Sequence, residues 1–329
     1  MKEQKKIFPT IIEYQPYSIC NANCAYCPVT RLNREQHQKG NPIKSEILDI
    51  LIDHTKGHLL ERVSPHLNCE PLLCKDLPLH IRRWKDSHPE ASLEFSTNGV
   101  FLTEKIFYSL VESGLDELTI HFMGVTKEYH EKAMNTKYDK VQKNIENILN
   151  LNSENNNPLN IGIFSHRLAG GGISLMDWYK YSKKWKDKGA RVTLGPLWNR
   201  AWFYGDDFND ISTGILTNKT APCSKPFNQI AILHDGNVLL CSLDHLHKVK
   251  IGNIIEQSIE EIWNSSIMEN YRQGQCDPKL NNLTLCKDCI RGGRYLLDET
   301  TLTRIVNFEF PEDTTAKKIN NIFASLDTF

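Results

Sequence analysis

No stretch of this 329-residue chain is apolar for long enough to span a bilayer. Its charged start, Met1-Lys2-Glu3-Gln4-Lys5-Lys6, leads only into a short apolar stretch broken by Pro9. Membrane insertion and secretion are argued against, and the expected setting is the cytoplasm. An excess of one charge is also missing. Thirty-nine Lys and Arg stand against 40 Asp and Glu with no long basic block, so general nucleic-acid or anionic-membrane binding is not expected, while a local basic pocket is allowed. A phosphate cradle is absent in any recognised form. The triplet Gly170-Gly171-Gly172 has neither a Walker nor a dinucleotide context and reads as a flexible substrate-side loop.

What the chain has is cysteine, ten of them without a secretion signal, which points to metal or redox chemistry rather than to disulfides. They fall into a front group (20, 24, 27, 69, 74) and a back group (223, 241, 276, 286, 289), the first sign of two separate metal sites. Cys20, Cys24 and Cys27 are spaced CxxxCxxC just after the first apolar run. Three thiolates this close cannot pair off or fill a four-ligand shell, but they can hold three irons of a 4Fe-4S cube and leave the fourth open. The competing reading is an incidental cluster, or zinc with a distant fourth ligand.

Periodicity gives six alternating units. Strands are expected at 10–17, 64–69, 92–96, 117–122, 160–165 and 191–197, with helices at 45–56, 77–87, 103–113, 138–151 and 175–188. Ser174 before Asp177 reads as a helix cap. Such an order implies parallel strands with right-handed crossovers, and a site at the C-terminal strand ends.

The cysteine loop, with Tyr26 just before its third cysteine, resembles that of the radical S-adenosylmethionine (SAM) superfamily. The resemblance implies an α/β fold, a partial (β/α)6 barrel, and SAM bound beside a 4Fe-4S cluster on Cys20, Cys24 and Cys27. It also implies a flavodoxin- or ferredoxin-type electron donor. Asn68-Cys69-Glu70-Pro71-Leu72 stands where relatives carry Gly-Gly-Glu-Pro-Leu, which assigns Asn68 and Glu70 to the methionine amino group of SAM. Ser96-Thr97-Asn98-Gly99 matches a family turn near cofactor and substrate, giving Ser96 and Asn98 cofactor roles. His121, where many relatives carry Ser, is a candidate for the SAM carboxylate, a substrate oxygen or proton movement. The stretch from Lys127 to His130, continued at 138–145, is expected only to pack the outside of the barrel. Arg200, in Asn199-Arg200-Ala201, offers fixed donors to an oxygen-rich ligand amid aromatic residues.

In the back third, Cys223, Cys241 and Cys286-Lys287-Asp288-Cys289 flank an expected hairpin, with its arms at 230–233 and 238–240, and a capped helix beginning at Ser258. This order resembles the SPASM/twitch region of some radical SAM enzymes and implies one auxiliary 4Fe-4S cluster on Cys223, Cys241, Cys286 and Cys289. Four thiolates suit zinc as well. The expected organisation is a barrel over 1–205, a linker over 206–222, an auxiliary-cluster domain over 223–295 and a tail with a helix over 296–329.

By resemblance, a 5′-deoxyadenosyl radical abstracts hydrogen from the substrate, and a fully ligated second cluster accepts the remaining electron. Oxidation of a carbinol to a carbonyl on a small sugar, aminocyclitol or nucleotide is the leading expectation. Epimerisation with Cys276 as hydrogen donor is the second. Peptide maturation is the third, weakened by the mere 19 residues before Cys20.

Overall fold

The structure is a computed structural model, and it describes residues 7–29, 40–167, 173–196, 223–275 and 283–286. In chain order the elements are β1 (Ile11–Tyr14), α1 (Ser45–Thr55), β2 (Arg62–Ser64), α2 (Leu77–Ser87), β3 (Ser92–Thr97), α3 (Glu104–Ser113), β4 (Glu117–His121), α4 (Lys127–Met134), α5 (Tyr138–Glu154), β5 (Asn160–Arg167), α6 (Leu175–Lys186) and β6 (Arg191–Pro196). The back third adds α7 (Lys225–Asn228), β7 (Gln229–Ile232), β8 (Asn237–Leu239), β9 (Lys250–Asn253), α8 (Ile259–Trp263) and α9 (Ser266–Gly274).

Among the described residues nine strands form one sheet in the order β6-β5-β4-β3-β2-β1-β7-β8-β9. The six front strands are parallel, as the alternation with helices requires. The expected hairpin forms as β7 and β8, and β7 joins the edge of β1 in parallel register, with Ile12 opposite Ile230. The back third therefore continues the barrel sheet.

Strand parity separates core from lumen. Ile12, Val63, Leu93, Phe95, Leu118 and Ile120 are buried on the helix-covered face, with Trp84 of α2 and Phe107 of α3 in the same core. Most of the alternate residues are polar. Arg62 pairs with Glu94 at 3.2 Å, and Arg191 with Glu117 at a more exposed place. A lumen lined this way cannot close as a dry core, so it stays available to a polar ligand.

Both anticipated helix caps form. Ser174 Oγ accepts from the Asp177 N–H at 3.2 Å, and Ser258 Oγ from the Glu261 N–H at 3.2 Å, each with the reciprocal bond of a capping box. Such a cap contributes about 1 kcal/mol. Strand two departs from expectation, since it covers Arg62–Ser64 rather than 64–69. Pro65 has no N–H to give a ladder, and the chain turns instead, with the Leu67 N–H donating to the Tyr14 carbonyl and Asn68 in the left-handed region at φ 52°. No helix among the described residues is long and apolar enough to cross a membrane.

Candidate active site

A cavity of about 280 Å³ opens at the strand ends. Cys20, Cys24 and Cys27 line it, together with Tyr26, Asn68, Glu70, Ser96, Asn98 and His121, all proposed from sequence. Ser96 and His121 reach it because β3 and β4 place alternate residues on the lumen face. His121 also stacks on Phe164, with ring centroids 5.1 Å apart.

The cysteine loop is held from two sides. The Ala22 N–H donates to Cys20 Sγ at 3.4 Å, and Asn98 Nδ2 donates to Asn21 Oδ1 at 2.8 Å. On the other side, Ala25 N–H donates to the Ala133 carbonyl at 2.9 Å and the Cys24 thiol points to the Met134 carbonyl. Helix α4 thus braces the metal loop through Ala133 and Met134, in its last turn and beyond the 127–130 stretch. Met134 is buried there, at 1% exposed. Burial pushes the Cys20 thiol up, and pushes Cys24 up to about 12 with help from neighbouring Cys27. Three thiolates here need a compensating cation, and an iron cluster supplies one, so the donor set fits the group.

Glu70 is 2% exposed and acts as a bracket. Its Oε1 accepts from Thr97 Oγ1 at 2.6 Å and from the Leu72 N–H at 3.2 Å, and its Oε2 accepts from the Asn98 N–H at 2.8 Å. Burial raises its pKa to about 7 against those bonds. Gly99, at φ +76°, closes the same turn, and Asn144 of α5 donates to the Gly99 carbonyl at 2.9 Å.

Asn68 stands where a glycine was expected, in a conformation that Asn tolerates better than other residues with a side chain. Its amide is turned toward the back third. Oδ1 accepts from His245 Nδ1, and Nδ2 donates to His247 Nε2 at 3.4 Å. Burial lowers the pKa of His247, in keeping with a neutral acceptor.

Of the expected auxiliary ligands, Cys223, Cys241 and Cys286 lie in the described residues. The Leu243 N–H donates to Cys241 Sγ at 3.4 Å, repeating the contact that Ala22 makes at Cys20. Gln275, 2% exposed, accepts from the Cys223 N–H at 3.2 Å and donates to Cys286 Sγ at 3.2 Å. Cys289, Cys276 and Arg200 lie outside the described residues. Ser242, Leu243 and His245, just past Cys241, line the same cavity as the front cysteines. Glu13, His66 and Lys225 line it as well, and none of these six was singled out from sequence. Glu13 had a legible signal, one acid in the apolar strand Ile11-Ile12-Glu13-Tyr14, where parity turns it away from the core.

Comparison with known proteins decides the family. Residues 14–167 match the radical SAM superfamily, and residues 223–290 match SPASM, an iron-sulfur cluster-binding domain. The chain belongs to the radical SAM superfamily. As a radical SAM enzyme with a SPASM region it uses SAM and two iron-sulfur clusters. It is 26% identical to the S-adenosyl-L-methionine-dependent 2-deoxy-scyllo-inosamine dehydrogenase of Niallia circulans over 284 residues, covering 86% of this chain and 93% of that one. Among solved structures, BtrN in complex with AdoMet and 2-DOIA superposes with a TM-score of 0.59 at 23% identity, covering 87% of this radical SAM chain and 94% of that one. Streptococcus suis SuiB bound to precursor peptide SuiA gives a TM-score of 0.61 at 12% identity, covering 80% and 66%. These likenesses at low identity bear on the fold, which is the radical SAM barrel.

Proposed function

We propose that this chain is a SAM-dependent dehydrogenase that oxidises a carbinol of a small polyhydroxylated ring, an aminocyclitol, to the ketone. One observation carries the reading. The loop with Cys20, Cys24 and Cys27 and the loop following Cys241 open on a single cavity, so a small substrate in it would lie beside both cluster regions. In this reading Cys20, Cys24 and Cys27 hold the SAM cluster, and Cys223, Cys241, Cys286 and Cys289 hold the auxiliary one. When bound, these groups supply a hydrogen-abstracting 5′-deoxyadenosyl radical and an acceptor for the electron left on the substrate.

The chain's own residues orient the reactants and exclude water. Glu70 fixes the Thr97-Asn98 turn, Asn98 steadies the cysteine loop through Asn21, and His121 presents a ring at the mouth that can receive a hydroxyl proton. The similarity to the Niallia circulans dehydrogenase, which extends over nearly its whole length, supports the substrate class. We place the enzyme in the cytoplasm with a flavodoxin- or ferredoxin-class electron donor.

The test is anaerobic turnover of the reconstituted, reduced chain with SAM and 2-deoxy-scyllo-inosamine. The expected result is 5′-deoxyadenosine and the ketone in equal amounts. Replacing Cys241 by Ser should leave 5′-deoxyadenosine detectable while the ketone falls by at least an order of magnitude. Formation of 5′-deoxyadenosine with no ketone from any aminocyclitol in the wild type would sink the reading.

A further inference from the structure

Glu13 is a carboxylate of the cavity wall with no part in the roles of Glu70, Asn98 and His121. It is 9% exposed, sits on the lumen face of β1 and lines the same cavity as the front cysteines. Burial alone would push its pKa up, but Lys225, His66, the Ser242 hydroxyl and Arg62 together outweigh burial and hold it below the usual carboxylate value. The carboxylate is therefore ionised inside the barrel.

Its cationic neighbour is not bonded to it. Lys225 Nζ donates to Gln229 Oε1 at 2.6 Å and to Ser242 Oγ at 3.1 Å, and Gln229 Nε2 donates to the same Ser242 oxygen at 3.3 Å. Ser242 Oγ thus receives two donors and has one hydrogen of its own, which can serve Glu13. A carboxylate has about four acceptor sites. One hydroxyl leaves most of them facing the cavity, and an ionised, buried carboxylate with unspent acceptors is costly unless a ligand or water completes it.

The charge balance indicates what completes it. Lys225 already compensates the negative charge through space, so a second cation would gain little. Neutral donors at matched spacing gain the full charge-assisted bonds without adding charge. We propose that Glu13 is a specificity-determining residue that accepts hydrogen bonds from two adjacent hydroxyls of the substrate, a vicinal diol, while Lys225, Gln229 and Ser242 hold it ionised and in place. This assignment rests on the reading of the substrate as a small polyhydroxylated carbinol.

The experiment crosses Glu13 variants with substrate analogues. For wild type, E13Q and E13D, KM and kcat are measured with 2-deoxy-scyllo-inosamine and with analogues each lacking one further hydroxyl away from the oxidised carbon. Equilibrium binding of the same compounds to the SAM-loaded holoprotein is measured without reductant. In the wild type, removing either hydroxyl of one adjacent pair should weaken binding roughly 10- to 100-fold. E13Q should raise KM for the full substrate by a similar factor, with a smaller effect on kcat, and should lose its discrimination against those two analogues. E13D, which keeps the charge but draws the carboxylate back by one methylene, should bind the full substrate more weakly and lose most of that discrimination, so the test stands even where E13Q fails to fold. If E13Q and E13D discriminate among the analogues as the wild type does, Glu13 is only a lumen charge and the proposal is overturned while the dehydrogenase reading survives. If the wild type oxidises no cyclitol at all, that reading falls and the diol assignment falls with it.

Discussion

Gln275 Nε2 donates to Cys286 Sγ at 3.2 Å, and the same amide accepts from the backbone N–H of Cys223, so one buried side chain ties together two proposed ligands of the auxiliary cluster. Leucine at this position would fill the volume but leave the Cys223 N–H unsatisfied and remove a hydrogen bond to sulfur. Q275L should therefore lose most of its auxiliary cluster, with iron falling from about eight to about four per chain, while the Cys20 loop keeps its own. Iron and sulfide analysis with electron paramagnetic resonance checks this. Full iron content together with an unshifted auxiliary potential would count against it.

Asn68 separates two effects that coincide in one residue. Its left-handed φ favours glycine, and its amide reaches His245 and His247. N68G should fold well yet loosen the loop after Cys241. N68A should lose the same bonds and be further destabilised by about 1 kcal/mol because alanine resists this conformation. Urea denaturation of the two variants gives the difference directly.

Gly99 should tolerate no side chain. A methyl group there would lie 3.1 Å from both Ile120 and Val141, at a φ of +76°. G99A is expected to cost about 2 kcal/mol and to weaken SAM binding, because the same turn carries Asn98. Calorimetry of unfolding and of SAM titration checks both effects.

Two buried histidines set an acid limit. Burial lowers His80 and His130 to about 4, against the nearby carboxylates Asp76 and Glu131. The unfolded chain takes up those protons near pH 6.5 and the folded chain does not. Their contribution is thus intact above about 6.5 and is lost as pH falls from there to about 4. The melting temperature of the wild type should drop across that window more steeply than that of H80Q/H130Q, and parallel curves would refute the assignment.

Much of the barrel was legible because its signals are local. Alternation in Ser92-Leu93-Glu94-Phe95-Ser96 gives both the strand and its lumen face, and Ser258 with Glu261 gives a helix start. The front cysteines could be read because the chemistry needs them close in sequence, whereas the turns at Asn68–Leu72 and Ser96–Gly99 were read only through the family resemblance. Strand two was misplaced because the apolar pattern continues past Pro65, and the missing donor decides the end of the ladder. The bonds that join distant segments, Asn68 to His245 and Gln275 to Cys223, leave no mark in local periodicity, since each depends on how the fold brings its partners together. Glu13 lies between these cases, because its parity was readable while its neighbours Lys225 and Ser242, more than two hundred residues away, were not.

The parallel pairing of β1 with β7 also bears on how the chain matures. Ile11 waits for Gln229, so during synthesis one edge of the first strand stays open until roughly two hundred further residues have emerged. Throughout that interval the cysteine loop is already made and already adjoins an unpaired, apolar edge. Until β7 arrives, that edge is open to edge-to-edge association with other chains. A chain cut short before Gln229 would therefore carry its cysteine loop beside an uncovered strand edge.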